Sequence, residues 1–337
     1  MVVSFVVGAI ILRGRRGVEK RIREIASEGR PVPRPRAIYG LGSTLDMREA
    51  AVGLSSGCVV ARHTKRRAPL MKESLVTDFR AVPALQFDRV ANFRDMGGHT
   101  THDGRRLAPG RLLRAGHLAA ASDDDLARLE PFGLRRVFDF RTAADIEHEG
   151  EDRLTSTAEC VLLPMPDPAR GGDIRKLMEG TTVDQLDGIF GDGKAEKMMR
   201  ESAAGLVRER REPYSLFLKA LARANHVPAL FHCSAGKDRA GWAGSVVLLS
   251  LGVPEEQVIE QYLLSNRAGQ EIIERQKQVG NEFWHDALAP LVGVREEYIQ
   301  SSFDAVREDW GDFDTYLAKG LSITDEERES LRKNLLE

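Results

Sequence analysis

Cys233 and Arg239 are the residues of this chain whose types and spacing favour a definite chemistry. They lie six positions apart in the segment His232-Cys-Ser-Ala-Gly-Lys-Asp-Arg239. One short loop can therefore present a nucleophilic sulfur and a planar guanidinium, which grips two oxygens of a phosphate at once. The other cysteines, Cys58 and Cys160, have no arginine at this spacing. The segment predicts a phosphate-binding loop in which a thiolate attacks phosphorus.

The apolar runs on either side of this loop indicate where it lies in a fold. Residues 227–232 form an apolar stretch of strand length, and residues 241–251 form one of helix length that is followed by Gly252 and Pro254. Glycine and proline at these positions stop helices. A loop between a buried strand and a helix lies at the carboxyl edge of a parallel sheet, where ligands bind. The N–H groups and partial positive charge at the start of the helix should bind an anion and favour the thiolate.

The loop itself supplies the predicted phosphate-binding residues, and Gly236 gives its backbone the freedom to curl. Lys237 adds a charge that suits substrates with more than one phosphate, or is simply a solvated lysine at a helix start. His232 is interpreted as a residue that orients the loop. No group of Cys and His has metal-ligand spacing, so neither a metal nor a cofactor is expected. The phosphate-binding residues are Ser234, Ala235, Gly236, Lys237, Asp238 and Arg239.

Three carboxylates compete for the role of general acid, which protonates the leaving oxygen and is typically worth about 10²–10⁴-fold in rate. Asp139 follows a predicted strand at 134–138, whose carboxyl end should border the same crevice, although it could instead pair with Arg141. Asp238 lies within the loop. Asp167 lies in the proline-rich turn at 164–168, where an ordinary turn aspartate is the favoured interpretation.

The loop closely resembles that of the cysteine-dependent tyrosine phosphatase superfamily, and most of all its bacterial branch typified by mycobacterial protein tyrosine phosphatase B. The resemblance covers roughly residues 85–337. It implies a tyrosine-phosphatase-like fold and catalytic roles for Asp139 and Asp238 beside Cys233 and Arg239. Further segments support that branch: Asn92-Phe-Arg-Asp-Met-Gly-Gly98, Arg111-Leu-Leu-Arg-Ala-Gly116, Phe138-Asp-Phe-Arg-Thr142, Leu162-Leu-Pro-Met-Pro-Asp167 and Tyr262-Leu-Leu-Ser-Asn266.

One position departs from the family pattern. The residue after the arginine is usually Thr or Ser, whose hydroxyl can bond the cysteine sulfur and ease breakdown of the phospho-enzyme, and here it is Ala240. We therefore expect phosphate binding to be retained and the second chemical step to be slow.

The remainder of residues 81–337 predicts an α/β domain with a central, mostly parallel sheet flanked by helices. Strands are expected near 112–114, 134–139 and 160–163, with Cys160 buried in the last of them. Residues 170–225 are long, polar and mostly helical, and this insertion could close over the site as a lid. Residues 255–337 are predicted to be helical.

Charge is distributed unevenly along the chain. Residues 1–70 hold 14 basic against 5 acidic residues, a net of +9, whereas the rest holds 35 against 46, a net of −11. The acidic body argues against nucleic acid as the main partner. The apolar run at 2–12 is too short to span a membrane, which needs about 20 residues. Residues 1–80 are interpreted as a basic, disordered extension, as a surface anchor, or as translated upstream sequence before Met71.

These observations predict a phosphomonoester phosphatase of dual specificity, acting on phosphotyrosine proteins, phosphoinositides or both. A reducing compartment such as the cytoplasm is expected because Cys233 must stay reduced, with secretion as an effector left open. Two other classes remain: another thiolate enzyme, such as a sulfurtransferase or arsenate reductase, and a non-catalytic module that binds phosphorylated ligands. The sequence does not predict the oligomeric state.

Overall fold

A sheet with parallel central strands organises the part of the chain that the structure describes. The computed structural model describes residues 87–166, 183–278 and 289–337. β1 pairs antiparallel with β2, whereas β2, β5, β3 and β4 are parallel neighbours in that order. The predicted α/β fold with a mostly parallel sheet is confirmed. The strands are β1 (Arg94–Asp95), β2 (Leu112–Ala115), β3 (Arg136–Asp139), β4 (Glu159–Leu162) and β5 (Ala229–His232).

The register of the sheet brings three strand ends together. His232 ends β5 and is paired with Ala115 on one side and with Asp139 on the other. Since these strands are parallel, their carboxyl ends form one edge of the sheet, which is where loops of α/β proteins bind ligands. The loop that follows His232 therefore begins at the middle of this edge.

Both faces of the three central strands β2, β5 and β3 are buried, and successive residues of β5 and β3 alternate between two cores. In β5, Leu230 packs in one core and Phe231 in the other, and in β3 Val137 and Phe138 divide in the same way. The larger core includes aromatic rings in edge contact, such as Phe140 against Phe217 at 5.3 Å between ring centroids. This double burial explains why the strands are recognisable as short apolar runs.

Helices cover both faces of the sheet. Capping boxes begin α1 at Ser122 and α12 at Thr324. None of the helices in the described ranges is long and apolar enough to cross a membrane. The helices are α1 (Asp123–Leu129), α2 (Ala143–Glu149), α3 (Val183–Phe190), α4 (Lys194–Glu209), α5 (Arg211–Leu221), α6 (Asp238–Leu251), α7 (Glu255–Leu263), α8 (Ser265–Gln278), α9 (Ala289–Val292), α10 (Glu296–Trp310), α11 (Phe313–Thr315), which leads into a π-helical turn (Tyr316–Gly320), and α12 (Asp325–Leu335).

The prediction that Cys160 is buried is wrong. Cys160 lies in β4, where it and Leu162 are exposed. β4 is an edge strand that pairs only with β3 among the described strands, so its side chains gain less cover than those of the central strands. Two other predictions, the basic extension at 1–80 and the acid-loop candidate Asp167, fall outside the described residues.

Candidate active site

The segment from Cys233 to Arg239 forms the loop that joins β5 to α6. Cys233 follows the last residue of β5, and Arg239 lies in the first turn of α6, which begins at Asp238. The predicted strand–loop–helix arrangement is therefore present, with the helix starting three residues earlier than its apolar run. Cys233 is 1% exposed and Arg239 is 2% exposed, so both side chains are held in a desolvated environment.

Gly236 allows the loop to curl tightly against the neighbouring strand. Its φ is +67°, a left-handed conformation that residues with a side chain rarely adopt. A Cβ atom at this position would lie 2.1 Å from the carbonyl oxygen of Ala115. Both the backbone conformation and the close approach therefore require glycine here.

Two side chains from outside the loop bind its carbonyl groups. Asn92 Nδ2 donates to the carbonyls of Ala235 at 3.2 Å and Gly236 at 2.9 Å. Arg114 donates from Nε to Gly236 O at 3.0 Å and from Nη2 to Lys237 O at 2.9 Å. Since these carbonyls are held on the side of Asn92 and Arg114, the loop N–H groups are left to face the opposite side. Neither Asn92 nor Arg114 could be assigned a role from sequence beyond its place in a family segment.

Arg239 is fixed by an aspartate that the sequence analysis did not identify. Its Nη1 donates to Asp145 Oδ2 at 2.9 Å and to the carbonyls of Phe140 at 3.1 Å and Met165 at 3.0 Å. Burial raises the pKa of Asp145, but the charge of Arg239 and several hydrogen bonds outweigh it and lower that pKa overall. Asp145 also closes a capping box with Thr142 at the start of α2. The Thr-x-x-Asp pattern of Thr142 and Asp145 was the signal in the sequence that could have pointed to Asp145.

Asp139 reaches the predicted edge of the sheet, where Arg141 binds it. Arg141 Nη2 lies 2.9 Å from Asp139 Oδ2, and Nε lies 3.1 Å from both carboxylate oxygens. The backbone N–H of Arg141 donates to Oδ1 as well, at 2.8 Å, and both side chains are 1% exposed. The salt bridge left open as an alternative for Asp139 is the contact observed.

His232 sits between acceptors beneath the loop. Its Nδ1 lies 3.1 Å from Cys233 O, and its Nε2 lies 2.9 Å from Asp152 Oδ2. Contact with two acceptors favours protonation of both ring nitrogens, which gives the ring a positive charge. Burial opposes that charge, but Asp152 outweighs it and raises the pKa of His232, while the pKa of Asp152 falls to about 2. The stabilisation by His232 is full below its unfolded pKa of about 6.5 and is lost as the pH rises through the raised value.

The oxygens of Asp139 and Asp152 and a ring nitrogen of His232 lie within 4.8 Å of one another, a donor set that could hold a metal ion. Arg141 Nη2 already lies 2.9 Å from Asp139 and 3.0 Å from Asp152. The guanidinium occupies the place where a cation would be needed. The arrangement therefore fits an ion-pair network better than a metal centre.

Lys237 is directed away from the interior of the loop. Its Nζ donates to the carbonyls of Leu291 at 2.6 Å and Gly293 at 3.1 Å, near the end of α9. Because the residue is 3% exposed, its interpretation as a solvated lysine is wrong. Its Nζ also lies 3.4 Å from Asp238 Oδ2.

Asp238 is less buried than Asp139, the other candidate acid that the structure describes. Its side chain is 15% exposed and borders a cavity between α4, α6, α7 and α10. A carboxylate at the edge of a partly desolvated cavity can exchange a proton with a bound group. The cavity wall is largely apolar and aromatic, with Met199, Leu206, Trp242, Tyr262 and Ile299.

Comparison with known proteins agrees with this geometry. The sequence model of the tyrosine phosphatase family matches residues 85–337. A Cupriavidus necator protein assigned by name to the tyrosine-protein phosphatases is 32% identical over 246 residues, which is 71% of this chain and 84% of that protein. The triple specificity protein phosphatase PtpB of Mycobacterium tuberculosis is 26% identical over 251 residues, 67% of this chain and 90% of that protein.

The match covers the sheet, the loop and the helices around them, and the loop carries a buried cysteine and a buried arginine at its two ends. The chain therefore belongs to the tyrosine phosphatase family and is a phosphoric monoester hydrolase.

Proposed function

We propose that the chain hydrolyses phosphomonoesters through a phospho-cysteine intermediate formed on Cys233. The observation that carries this proposal is the loop itself, which holds Cys233 and Arg239 at its two ends and has three of its carbonyls bound from outside. The N–H groups of Ser234 to Arg239 would surround the phosphate oxygens. Arg239, whose Nη2 donates to Ser234 Oγ at 3.2 Å, would bind the equatorial oxygens through its guanidinium.

The reaction would proceed in two displacements. The Cys233 thiolate attacks phosphorus in line, the bond from phosphorus to the ester oxygen breaks, and the leaving oxygen receives a proton. Water then attacks the phospho-cysteine, gives a proton back to the same acid, and releases inorganic phosphate and the thiolate. Protons and electron pairs balance without a metal or a cofactor.

Asp238 suits the general acid better than Asp139 does. Asp139 is enclosed by Arg141, which occupies both of its oxygens, and it lies beneath the loop beside His232. Asp238 borders the cavity, and its ion pair with Lys237, at 3.4 Å, is longer than the 2.9 Å pair between Asp139 and Arg141. We assign proton transfer to Asp238 and a positioning role to Asp139, which would hold Arg141 and His232 in place.

The substrate class that we propose is phosphotyrosine in proteins, phosphoinositides, or both. PtpB, at 26% identity, is named for triple specificity, which favours a tolerant site. From the sequence, Lys237 was a candidate to bind a second phosphate of the substrate. Its Nζ instead donates to two backbone carbonyls, so it gives this role less support. We therefore expect kcat/KM to be higher for phosphotyrosine peptides than for phosphoinositides presented in mixed micelles. A panel of both substrates, assayed by phosphate release, checks this, and a preference for phosphoinositides would contradict it.

The insertion is proposed to act as a lid. Its helix α4 contributes Met199 and Leu206 to the cavity beside Asp238, and Cys233 is 1% exposed. Substrate entry would then require α4 or its neighbours to move. Limited proteolysis between residues 183 and 225 should slow when vanadate is bound, and cleavage at an unchanged rate would count against a lid.

Ala240 leads to a kinetic prediction. It is fully buried and has no hydroxyl to assist breakdown of the phospho-enzyme. Rapid mixing with p-nitrophenyl phosphate should give a burst of product of about one equivalent, followed by slower steady turnover. Ala240→Thr should raise the steady rate and shrink the burst. An absence of a burst in the wild type, together with no gain in Ala240→Thr, would show that the second step is not limiting.

A further inference from the structure

Almost every charged side chain around the loop is matched by an opposite charge. Arg239 pairs with Asp145 at 2.9 Å and Lys237 with Asp238 at 3.4 Å. Beneath the loop, His232 lies 2.9 Å from Asp152, and Arg141 lies 2.9 Å from Asp139. These four pairs contribute little net charge to the space in front of Cys233.

Arg114 is the exception at the back of the loop. It is fully buried in β2, and its hydrogen-bond partners are all neutral. Besides the loop carbonyls of Gly236 and Lys237, Nη1 donates to Gln261 Oε1 at 3.1 Å and Nη2 to Ser265 Oγ at 3.3 Å. Within the described ranges Arg114 forms no ion pair with a carboxylate.

Arg94 adds a second positive charge to the same place. It donates to Asn92 Oδ1 at 2.6 Å and to Ser265 Oγ at 2.9 Å, and it too lacks a carboxylate partner among the described residues. Burial, with the charges of Arg114 and Arg267, lowers the pKa of Arg94 well below its usual value. The hydroxyl of Ser265 therefore accepts from two cations, Arg94 and Arg114, and does not link a cation to an anion.

A buried guanidinium without a counter-ion is costly unless an anion lies nearby. Burial lowers the pKa of Arg114 to about 10, and the sulfur of Cys233 leads the groups that oppose this effect, ahead of Tyr262 and Asp238. Two groups in the catalytic cycle carry the missing negative charge, the Cys233 thiolate and the phosphate bound in the loop. Both lie on the N–H side of the loop, whereas Arg114 holds its carbonyl side.

We propose that Arg114 is a positioning residue that supplies, from behind the loop, the positive charge that balances the Cys233 thiolate and the bound phosphate. Its guanidinium also binds the carbonyls of Gly236 and Lys237, so that the loop N–H groups stay directed at the anion. This inference deepens the proposed function and rests on it in taking phosphate as the anion. Arg239 grips the phosphate from the front, and Arg114 acts on the same charge without touching it.

The structure offers a nearly isosteric test, Gln261→Glu. This change places a carboxylate 3.1 Å from Arg114 Nη1 and so supplies the counter-ion that the site lacks. The matched control is Gln257→Glu, which adds the same charge one turn earlier in α7, where the side chain bonds the backbone of Thr100. The readout is the rate of Cys233 alkylation by iodoacetamide against pH, measured by peptide mass spectrometry so that Cys58 and Cys160 are distinguished.

In Gln261→Glu the midpoint of the alkylation curve should move up by about one pH unit. The inhibition constant of inorganic phosphate should rise about tenfold. Gln257→Glu should leave both values at the wild-type level. If Gln261→Glu folds and both values stay at the wild-type level, or if the control moves them equally, Arg114 does not provide this charge.

A second pair of variants separates charge from packing and decides the matter if Gln261→Glu does not fold. Arg114→Lys keeps the positive charge and loses the planar guanidinium with its several hydrogen bonds, whereas Arg114→Gln loses both. The alkylation midpoint should stay near the wild-type value in the lysine variant and rise in the glutamine variant. Equal shifts in the two would assign Arg114 a purely structural role. A wild type that hydrolyses no phosphomonoester would overturn the proposed function. Because alkylation of Cys233 needs no turnover, the alkylation midpoints of the Arg114 variants could still be compared in that case.

Discussion

Replacement of Cys233 by Ser is expected to abolish hydrolysis of p-nitrophenyl phosphate while leaving phosphate binding intact. A serine hydroxyl remains protonated at neutral pH and is a poor nucleophile, so the rate should fall by roughly 10⁴-fold or more. The change is nearly isosteric in a side chain that is 1% exposed, and the contacts that hold the loop involve its carbonyls rather than the sulfur. Inorganic phosphate should therefore still protect the variant against thermal unfolding.

Cys160→Ser provides the matched control for this prediction. Cys160 is exposed on the edge strand β4, so its loss should leave both the rate and the stability near the wild-type values. Equal hydrolysis by wild type and Cys233→Ser would rule out the thiolate mechanism. Loss of hydrolysis together with loss of phosphate protection would instead indicate a damaged loop.

Asp238→Asn is expected to lower kcat by about 10²–10³-fold for phosphotyrosine peptides, whose leaving oxygen needs a proton. The loss should be much smaller for p-nitrophenyl phosphate, because its leaving group departs readily as an anion. Steady-state kinetics with both substrates checks each part.

Asp139→Asn, assayed with the same two substrates, distinguishes the role of Asp139 from that of Asp238. This change removes a carboxylate that binds Arg141 through both oxygens in a buried setting, where breaking an ion pair costs about 3–5 kcal/mol. We expect it to lower the free energy of unfolding and to reduce the rates of both substrates alike. A leaving-group dependence in Asp139→Asn, and none in Asp238→Asn, would reverse the assignment of the two carboxylates.

The loop could be predicted from the sequence because its chemistry is local. Cys233 and Arg239 lie in one short segment between two apolar runs, and strand, turn and helix preferences fix the position of such a segment. The same locality explains why the pairing of Asp139 with Arg141, two residues apart, could be named as an alternative in advance.

The support around the loop could not be predicted in this way. Asp145 reaches Arg239 across 94 positions of the chain, and Arg114 reaches Gly236 across 122. Such contacts follow from the order of the strands in the sheet, which places β2 and β3 on either side of β5. The exposure of Cys160 could not be predicted either. An edge strand and a central strand can share an apolar composition, but only the central strand is covered on both sides.

The measurement that most directly tests the central claim is the identification of the phosphorylated residue during turnover. The enzyme is mixed with a phosphotyrosine peptide, quenched in acid within one turnover, and digested for mass spectrometry. We predict that the mass of one phosphoryl group is found on the peptide that contains Cys233, and that the adduct accumulates because Ala240 leaves the second step unassisted. Product formation with the phosphoryl group on another residue, or on no residue at any quench time, would contradict the account.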